Sequence, residues 1–232
     1  MELDADLVRQ RLTELAGLSR PGRRSIGNHR YRLGPVVETE VLARAERTVG
    51  APLPRGYRHF ITTIGDGGAG PYHGLIPLQE ALEAMDERFG GLDSLGRDCP
   101  LTQDVDFGEL AGAPGSWEEH EARLDADPQY VAHYQRLKET YTGDPWGDGR
   151  LPIAEIGCGD WLFLVVRGPR RGTVWVDGLD SSTGLYCLEI GFATLYRRWL
   201  EESLAEAQER FTPPEASYSF LRYGDNPRYR PI

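Results

Sequence analysis

Side chains of the kind that do chemistry gather at few places in this chain, and each place can be held against the spacing its chemistry needs. His120-Glu121 begins like the helical zinc-protease signature, in which a second histidine four positions on shares the metal-facing side. Leu124 holds that place, so the second ligand is missing. GCGDW at 157–161 has two glycines, but neither the third glycine of a dinucleotide loop nor a helix behind it. No Gly-Lys-Ser/Thr phosphate loop and no GxSxG nucleophile elbow occurs. Asp144 and Asp148 in DPWGDG miss the EF-hand spacing, and the stretch reads as a turn. Cys158, His59 and Asp160 can be drawn as nucleophile, base and acid. That chemistry needs a thiolate beside an imidazole in a cleft, and nothing in the sequence brings the two together. The five histidines (His29, His59, His73, His120, His133) are dispersed, and Cys99, Cys158 and Cys187 form no CxxC pair. No metal site, cofactor, disulfide framework or catalytic set is expected from these residues.

The elements that would position any functional group are easier to read. Leu53 to Gly68, LPRGYRHFITTIGDGG, organises the rest. Pro54 suits a first helical position because it has no N–H to leave unpaired. Tyr57, Phe60, Ile61 and Ile64 recur at helical period, Gly65 stops the helix, and Asp66-Gly67-Gly68 makes a turn able to take positive φ. Before it, Leu3 to Leu15 marks a first helix ending near Gly17, Ser19 to Asn28 a loop, and Tyr31 to Val37 a short edge strand. Thr39 is placed to cap a second helix carrying Val41, Leu42, Ala45 and Val49, with Gly50 past its end.

Tyr72 to Leu78 reads as a strand, Leu82, Met85 and Phe89 as a helical patch, and Gly90 to Gly115 as weakly structured. Trp117 to Tyr141 is helical, interrupted at Pro128. Four β-branched or aromatic runs follow, Leu151–Ile156, Trp161–Arg167, Thr173–Asp177 and Leu185–Ile190. Their short Gly-rich connections predict antiparallel neighbours. Phe192, Leu195, Tyr196, Trp199, Leu200 and Leu204 form the strongest helical stripe, and Pro213 to Ile232 a tail that wraps the surface. The pattern predicts one α+β domain over 1–232, an antiparallel-rich sheet with helices packed mainly on one side.

Hydrophobic content of 40% and charged content of 27% are those of an ordinary globular protein, and three widely spaced cysteines point to a reducing, cytoplasmic setting. No apolar run approaches the roughly 18–20 residues that cross a bilayer. The acidic, amphipathic start, MELDADLVRQRLTEL, reads as neither a secretory signal nor a transit peptide. The formal charge of −10 argues against direct binding of nucleic acid or of an anionic membrane, and favours basic partners. Between Gln79 and Asp127 stand 14 acidic residues against 3 arginines and no lysine, which accounts for the whole excess. Arg20, Arg23, Arg24, Arg30 and Arg32 form an opposing run without an acid.

One series of residues carries a resemblance. Val41, Glu46, Gly50, Leu53-Pro54, Tyr57, Phe60 and Gly67-Gly68 are followed by Gly74-Leu75-Ile76-Pro77-Leu78. After an acidic insert at 79–150 come Leu151-Pro152-Ile153-Ala154, Gly157, Gly159-Asp160 and Gly172-Thr173-Val174. The series resembles the SUKH superfamily, the fold shared by fungal cell-wall synthesis regulators and bacterial toxin-immunity proteins, over residues 38–78 and 151–203. The resemblance implies a non-catalytic α+β scaffold that binds a cognate toxin or another basic protein. The insert, the N-terminal helix 1–17 and the tail 213–232 are additions to that pattern. Trp117, Tyr130 and Tyr134 are candidate anchors for the partner, or else the insert's own small core. Asp66, Asp104, Asp106, Glu118 and Glu119 are candidate contacts, and Asp160 either caps a turn or meets the partner. A general interaction module unrelated to toxins, and an enzyme using Cys158 and His59, remain the alternatives.

Overall fold

The computed structural model describes residues 2–18, 29–112, 117–142, 145–210 and 221–228. Helix α1 (Ala5–Leu18) buries Val8, Leu12 and Leu15, and α2 (Thr39–Val49) buries Leu42, Ala45 and Val49. Glu38 precedes α2, and Thr39 is already helical, so the cap expected at Thr39 falls one residue early and uses no side chain. Gly50 ends α2 in the left-handed conformation and donates to the carbonyls of Glu46 and Arg47. Helix α3 (Arg55–Thr63) follows, with Pro54 just before its first turn rather than in it. The Glu46 carboxylate accepts from Leu53 N at 3.0 Å and from Arg58 Nε at 2.8 Å. That one acid therefore pins the α2–α3 corner, satisfying an N–H that the approaching helix cannot.

Strands β2 (Arg150–Gly157), β3 (Asp160–Val165), β4 (Thr173–Gly178) and β5 (Gly184–Gly191) form the expected antiparallel meander. A two-residue strand, β1 (Val105–Asp106), joins β5, giving the order β1-β5-β4-β3-β2. Gly184 makes that pairing possible, because a Cβ there would stand 1.9 Å from the Val105 carbonyl oxygen. The α+β architecture is as the pattern predicts.

Alternate strand residues face two different cores. Leu162, Leu164, Val174, Val176, Tyr186 and Leu188 pack under α1–α3, α4 (Leu78–Arg88) and α8 (Phe192–Ala207). The α3 stripe meets α8 through aromatic contacts, Phe60 lying 4.5 Å from Tyr196 and 5.2 Å from Phe192 between centroids. Val165, Trp175, Leu185 and Cys187 face the other way, beneath α5 (Phe107–Leu110) and α7 (Pro128–Thr142). Helix α6 (Trp117–Ala126) lies against α7. The larger helical layer, α4 included, is thus on one side, and the later part of the insert, α5 to α7, roofs the opposite face.

Three expectations change. Tyr72 to Leu78 is not a strand: Leu75 makes single bridges to Gly68 and Ala154, and Leu78 already belongs to α4. Pro71 and Pro77, which cannot donate to a ladder, bracket the segment. Tyr31 to Val37 likewise contributes one bridge, Leu33 to Gly68. Gly68 holds φ at +86°, and a Cβ there would stand 2.3 Å from the Arg32 carbonyl oxygen. In the tail, residues 221–228 belong to the body of the fold rather than wrapping it. Leu221 and Tyr223 are buried in the larger core, and Arg222 lies 2.8 Å from Glu202 of α8. Positions 211–220 and 229–232, like Arg20, Arg23, Arg24 and Asp144, lie outside the described residues.

Candidate interaction surface

The insert separates its side chains by kind. Apolar and aromatic groups turn inward. Tyr130 and Tyr134 are buried, with Tyr134 5.8 Å from Phe107 and His120 4.9 Å from Tyr134 between ring centroids. His120 Nδ1 sits 2.6 Å from the Tyr130 hydroxyl, the Tyr134 hydroxyl donates to the Ser182 carbonyl, and Arg123 stacks 4.1 Å above Tyr130. Burial pushes the Tyr134 hydroxyl up to about 12 and holds the His120 imidazole below its ordinary value. Both tyrosines therefore belong to the second core, the alternative that stood beside the anchor role. They are buried because α7 has the sheet face to cover. Trp117 opens α6, and its side chain lies outside the described residues.

Most of the candidate carboxylates are also turned to internal work. Asp66 is buried, with Oδ1 and Oδ2 accepting from Leu78 N at 3.0 and 3.1 Å, the first N–H of α4. Burial raises its carboxyl to about 6 against the pull of that N–H. Asp160 is buried and accepts from Ser181 N at 3.0 Å, which ties the β2–β3 turn to the β4–β5 turn. Burial raises its carboxyl too, and the Ser181 hydrogen bonds oppose the shift. Asp104 accepts from Cys187 N at 2.8 Å and Asn226 Nδ2 at 2.7 Å. Asp106 caps α5 by accepting from Glu109 N at 3.0 Å. These four carboxylates each hold backbone together, and for Asp160 that is the turn-capping role, one of the two readings its position offered. Only Glu118 and Glu119 of the named acids are exposed.

The outward-facing acids lie elsewhere. Helix α4 buries Leu78, Ala81, Leu82 and Met85, which leaves Glu80, Glu83, Asp86 and Glu87 exposed. No ion pair among the described residues engages these four. Glu80, Glu83 and Glu87 stand at helical spacing, so each neighbouring pair repels by about 0.2–0.5 kcal/mol. Glu118, Glu121 and Asp125 form a shorter exposed strip on α6, on the other side of the sheet. The signal that finds them is the complement of the apolar stripe: once Leu78, Leu82 and Met85 fix the buried side of α4, the remaining positions must face water.

Cys158 and His59 are not brought together. Cys158 is exposed in the β2–β3 turn, while His59 Nε2 lies 2.9 Å from the Leu3 carbonyl and 3.4 Å from the Thr63 hydroxyl. Among the described residues no three or more His, Cys, Asp or Glu side chains are placed to hold a metal ion, and no helix is long and apolar enough to cross a membrane.

The α2–α3 corner, the Gly67-Gly68 turn and the meander as far as the start of β5 fall within one recognised span. The model of the SMI1 / KNR4 family (SUKH-1) matches residues 37–186, more than half of the chain. The chain belongs to this family. No curated protein and no solved structure matches it. Helix α4 and the insert's helices lie between the two ends of the SUKH-1 span. Glu46, Pro54, Gly68 and Asp160, all in the series of residues that pointed to the family, have structural roles in this member.

Proposed function

We propose that this SUKH-1 protein is a non-catalytic binding scaffold of the immunity type, which neutralises a basic toxin domain through the acidic face of α4. The observation that carries the reading is the row Glu80, Glu83, Asp86 and Glu87, exposed on a helix whose opposite side is locked into the main core. Like charges at helical spacing weaken the free protein slightly. A cationic partner would turn that repulsion into attraction, and the rigid support keeps the ordering cost low. Domains that cut or modify nucleic acid need positive clefts to hold phosphate, which is the surface an acidic helix complements. Charge steering would raise the association rate and make it fall with salt.

The test is charge reversal against the product of the neighbouring reading frame. Glu80→Lys, Glu83→Lys and Glu87→Lys together are expected to weaken binding at least tenfold at low salt and less at high salt. Glu118→Lys with Glu121→Lys, on the opposite side, serves as the comparison. Unchanged affinity in the α4 variant would end the reading for α4, and a loss confined to the α6 variant would move the contact there.

A further inference from the structure

A groove of opposite sign lies between α1 and the turn at 29–34. Its volume is about 690 Å³, and its lining includes Arg9, Arg30 and Arg32 but no carboxylate. Leu12, Leu33 and Ile64 supply an aliphatic floor. Arg9 is partly committed, donating to the carbonyls of Thr63 at 2.8 Å and Ile64 at 3.2 Å and standing 3.7 Å from Asp6. Arg30 and Arg32 are exposed, and no ion pair among the described residues engages either.

The backbone presenting these two arginines is held in an unusual shape. Arg30 and Tyr31 take φ of 46° and 56°, consecutive left-handed residues that L side chains avoid. Such a turn persists only where its surroundings over-determine it. Here Tyr31 N donates to His29 Nδ1 at 2.9 Å and Arg32 N to the His29 carbonyl at 2.8 Å. Ala69 N donates to the Arg32 carbonyl at 2.7 Å, and Gly34 N to the Gly67 carbonyl at 3.1 Å. The turn is thereby fastened to the Gly67-Gly68 turn, so both guanidiniums start from a fixed base.

We infer that this groove is a second docking site, and that it takes an acidic peptide segment of a partner protein with apolar side chains between its carboxylates. Guanidinium groups meet carboxylates through paired hydrogen bonds. Leu33 and Ala16, over the buried Leu12 and Ile64, accept the apolar side chains in between. Nucleic acid is the poorer occupant for two reasons. The chain's charge of −10 repels a polyanion at long range, and an aliphatic floor gives bases little to stack on. A short peptide carries few charges and gains from the floor.

The experiment uses the full chain and a fluorescein-labelled peptide alternating glutamate with leucine, followed by anisotropy at low and high salt. Its lysine counterpart and a thymidine oligonucleotide of equal charge are run beside it. Saturable binding of the glutamate peptide is expected, weakened about tenfold by Arg30→Glu with Arg32→Glu and severalfold by Arg30→Gln with Arg32→Gln. Circular dichroism and Tm should stay as in the parent, because both side chains are exposed. Charge reversal on α4 should leave peptide binding in place, which separates this site from the toxin-binding reading. The inference is overturned if the glutamate peptide fails to bind or binds the Arg30/Arg32 variants equally well. It is overturned as well if the lysine peptide matches the glutamate peptide, or if only the oligonucleotide binds.

Discussion

Asp66 offers a stability prediction with an unusual sign. Its carboxylate spans the gap between the Gly67-Gly68 turn and α4, meeting Leu78 N with both oxygens. Burial carries the carboxyl from an ordinary 3.8 up to about 6, although the N–H favours the charged form. The folded chain therefore holds this proton more tightly than the unfolded chain. Its contribution is full below pH 4 and is lost as pH rises through 6. At 1.36 kcal/mol for each tenfold change in proton affinity, the loss by neutral pH is about 3 kcal/mol. Asp66→Asn keeps an oxygen for Leu78 N and abolishes the titration. Urea unfolding of the two proteins from about pH 4 to pH 7.5 should show near-equal stability at the acid end and an asparagine advantage of up to about 3 kcal/mol at neutral pH. Asp66→Ala, which also removes the acceptor, should fall below asparagine at every pH by about 1 kcal/mol. A difference between parent and asparagine that stays flat with pH, or favours the parent above pH 6, would refute the argument. The carboxylate would then be a cap stabilised by its charge at the α4 N-terminus.

Two further outcomes test how the sheet is held. Arg150 and Asp177 form an ion pair at 3.1 Å with side chains 5% and 12% exposed, and Arg150 stacks 4.7 Å from the Phe163 ring. Asp177→Ala strands a buried cation and should cost about 3–5 kcal/mol in urea unfolding, whereas Arg150→Met with Asp177→Leu should come close to parent stability. Asp104→Ala leaves Cys187 N without its acceptor, which should cost about 1–3 kcal/mol. It also opens the β5 edge, so light scattering should show concentration-dependent association that the parent lacks.

Much of this fold is written locally. The α3 stripe, the α8 stripe and the four strand runs with their glycine turns need only neighbours within a few residues to be read. The second core is harder, because Leu162 to Val166 are all buried and show no alternation. An unbroken apolar run shows that both faces are covered but does not say by what, and the sequence alone does not place Tyr130 and Tyr134 of α7 over Trp175. Carboxylates are hardest of all. Asp66 serves an N–H 12 positions away and Asp104 one 83 positions away. No local pattern distinguishes an aspartate that will cap such a distant group from one that will face solvent. Glu80 and Glu83 were legible in principle, since a buried helical stripe defines its own exposed complement.

The way the sheet is enclosed limits how any partner can approach. At one edge, Ile76 N donates to the Ile153 carbonyl, His73 N to the Glu155 carbonyl, and Leu75 bridges Ala154. At the other, β1 pairs with the start of β5. Asp104 then takes Cys187 N, Asn226 Nδ2 reaches the Cys187 carbonyl at 2.8 Å, and Asp225 N reaches the Leu188 carbonyl at 2.7 Å. Side chains and short connections thus occupy the donors and acceptors that an added strand would use. With both faces roofed as well, recognition falls to the outer side chains, and there the signs are sorted: acids along α4, arginines around the 29–34 turn. Screening within about 8 Å at physiological salt lets the arginines act locally inside an acidic molecule. Raising the salt should therefore weaken long-range steering toward α4 before it weakens a segment already seated against Leu12, Leu33 and Ile64.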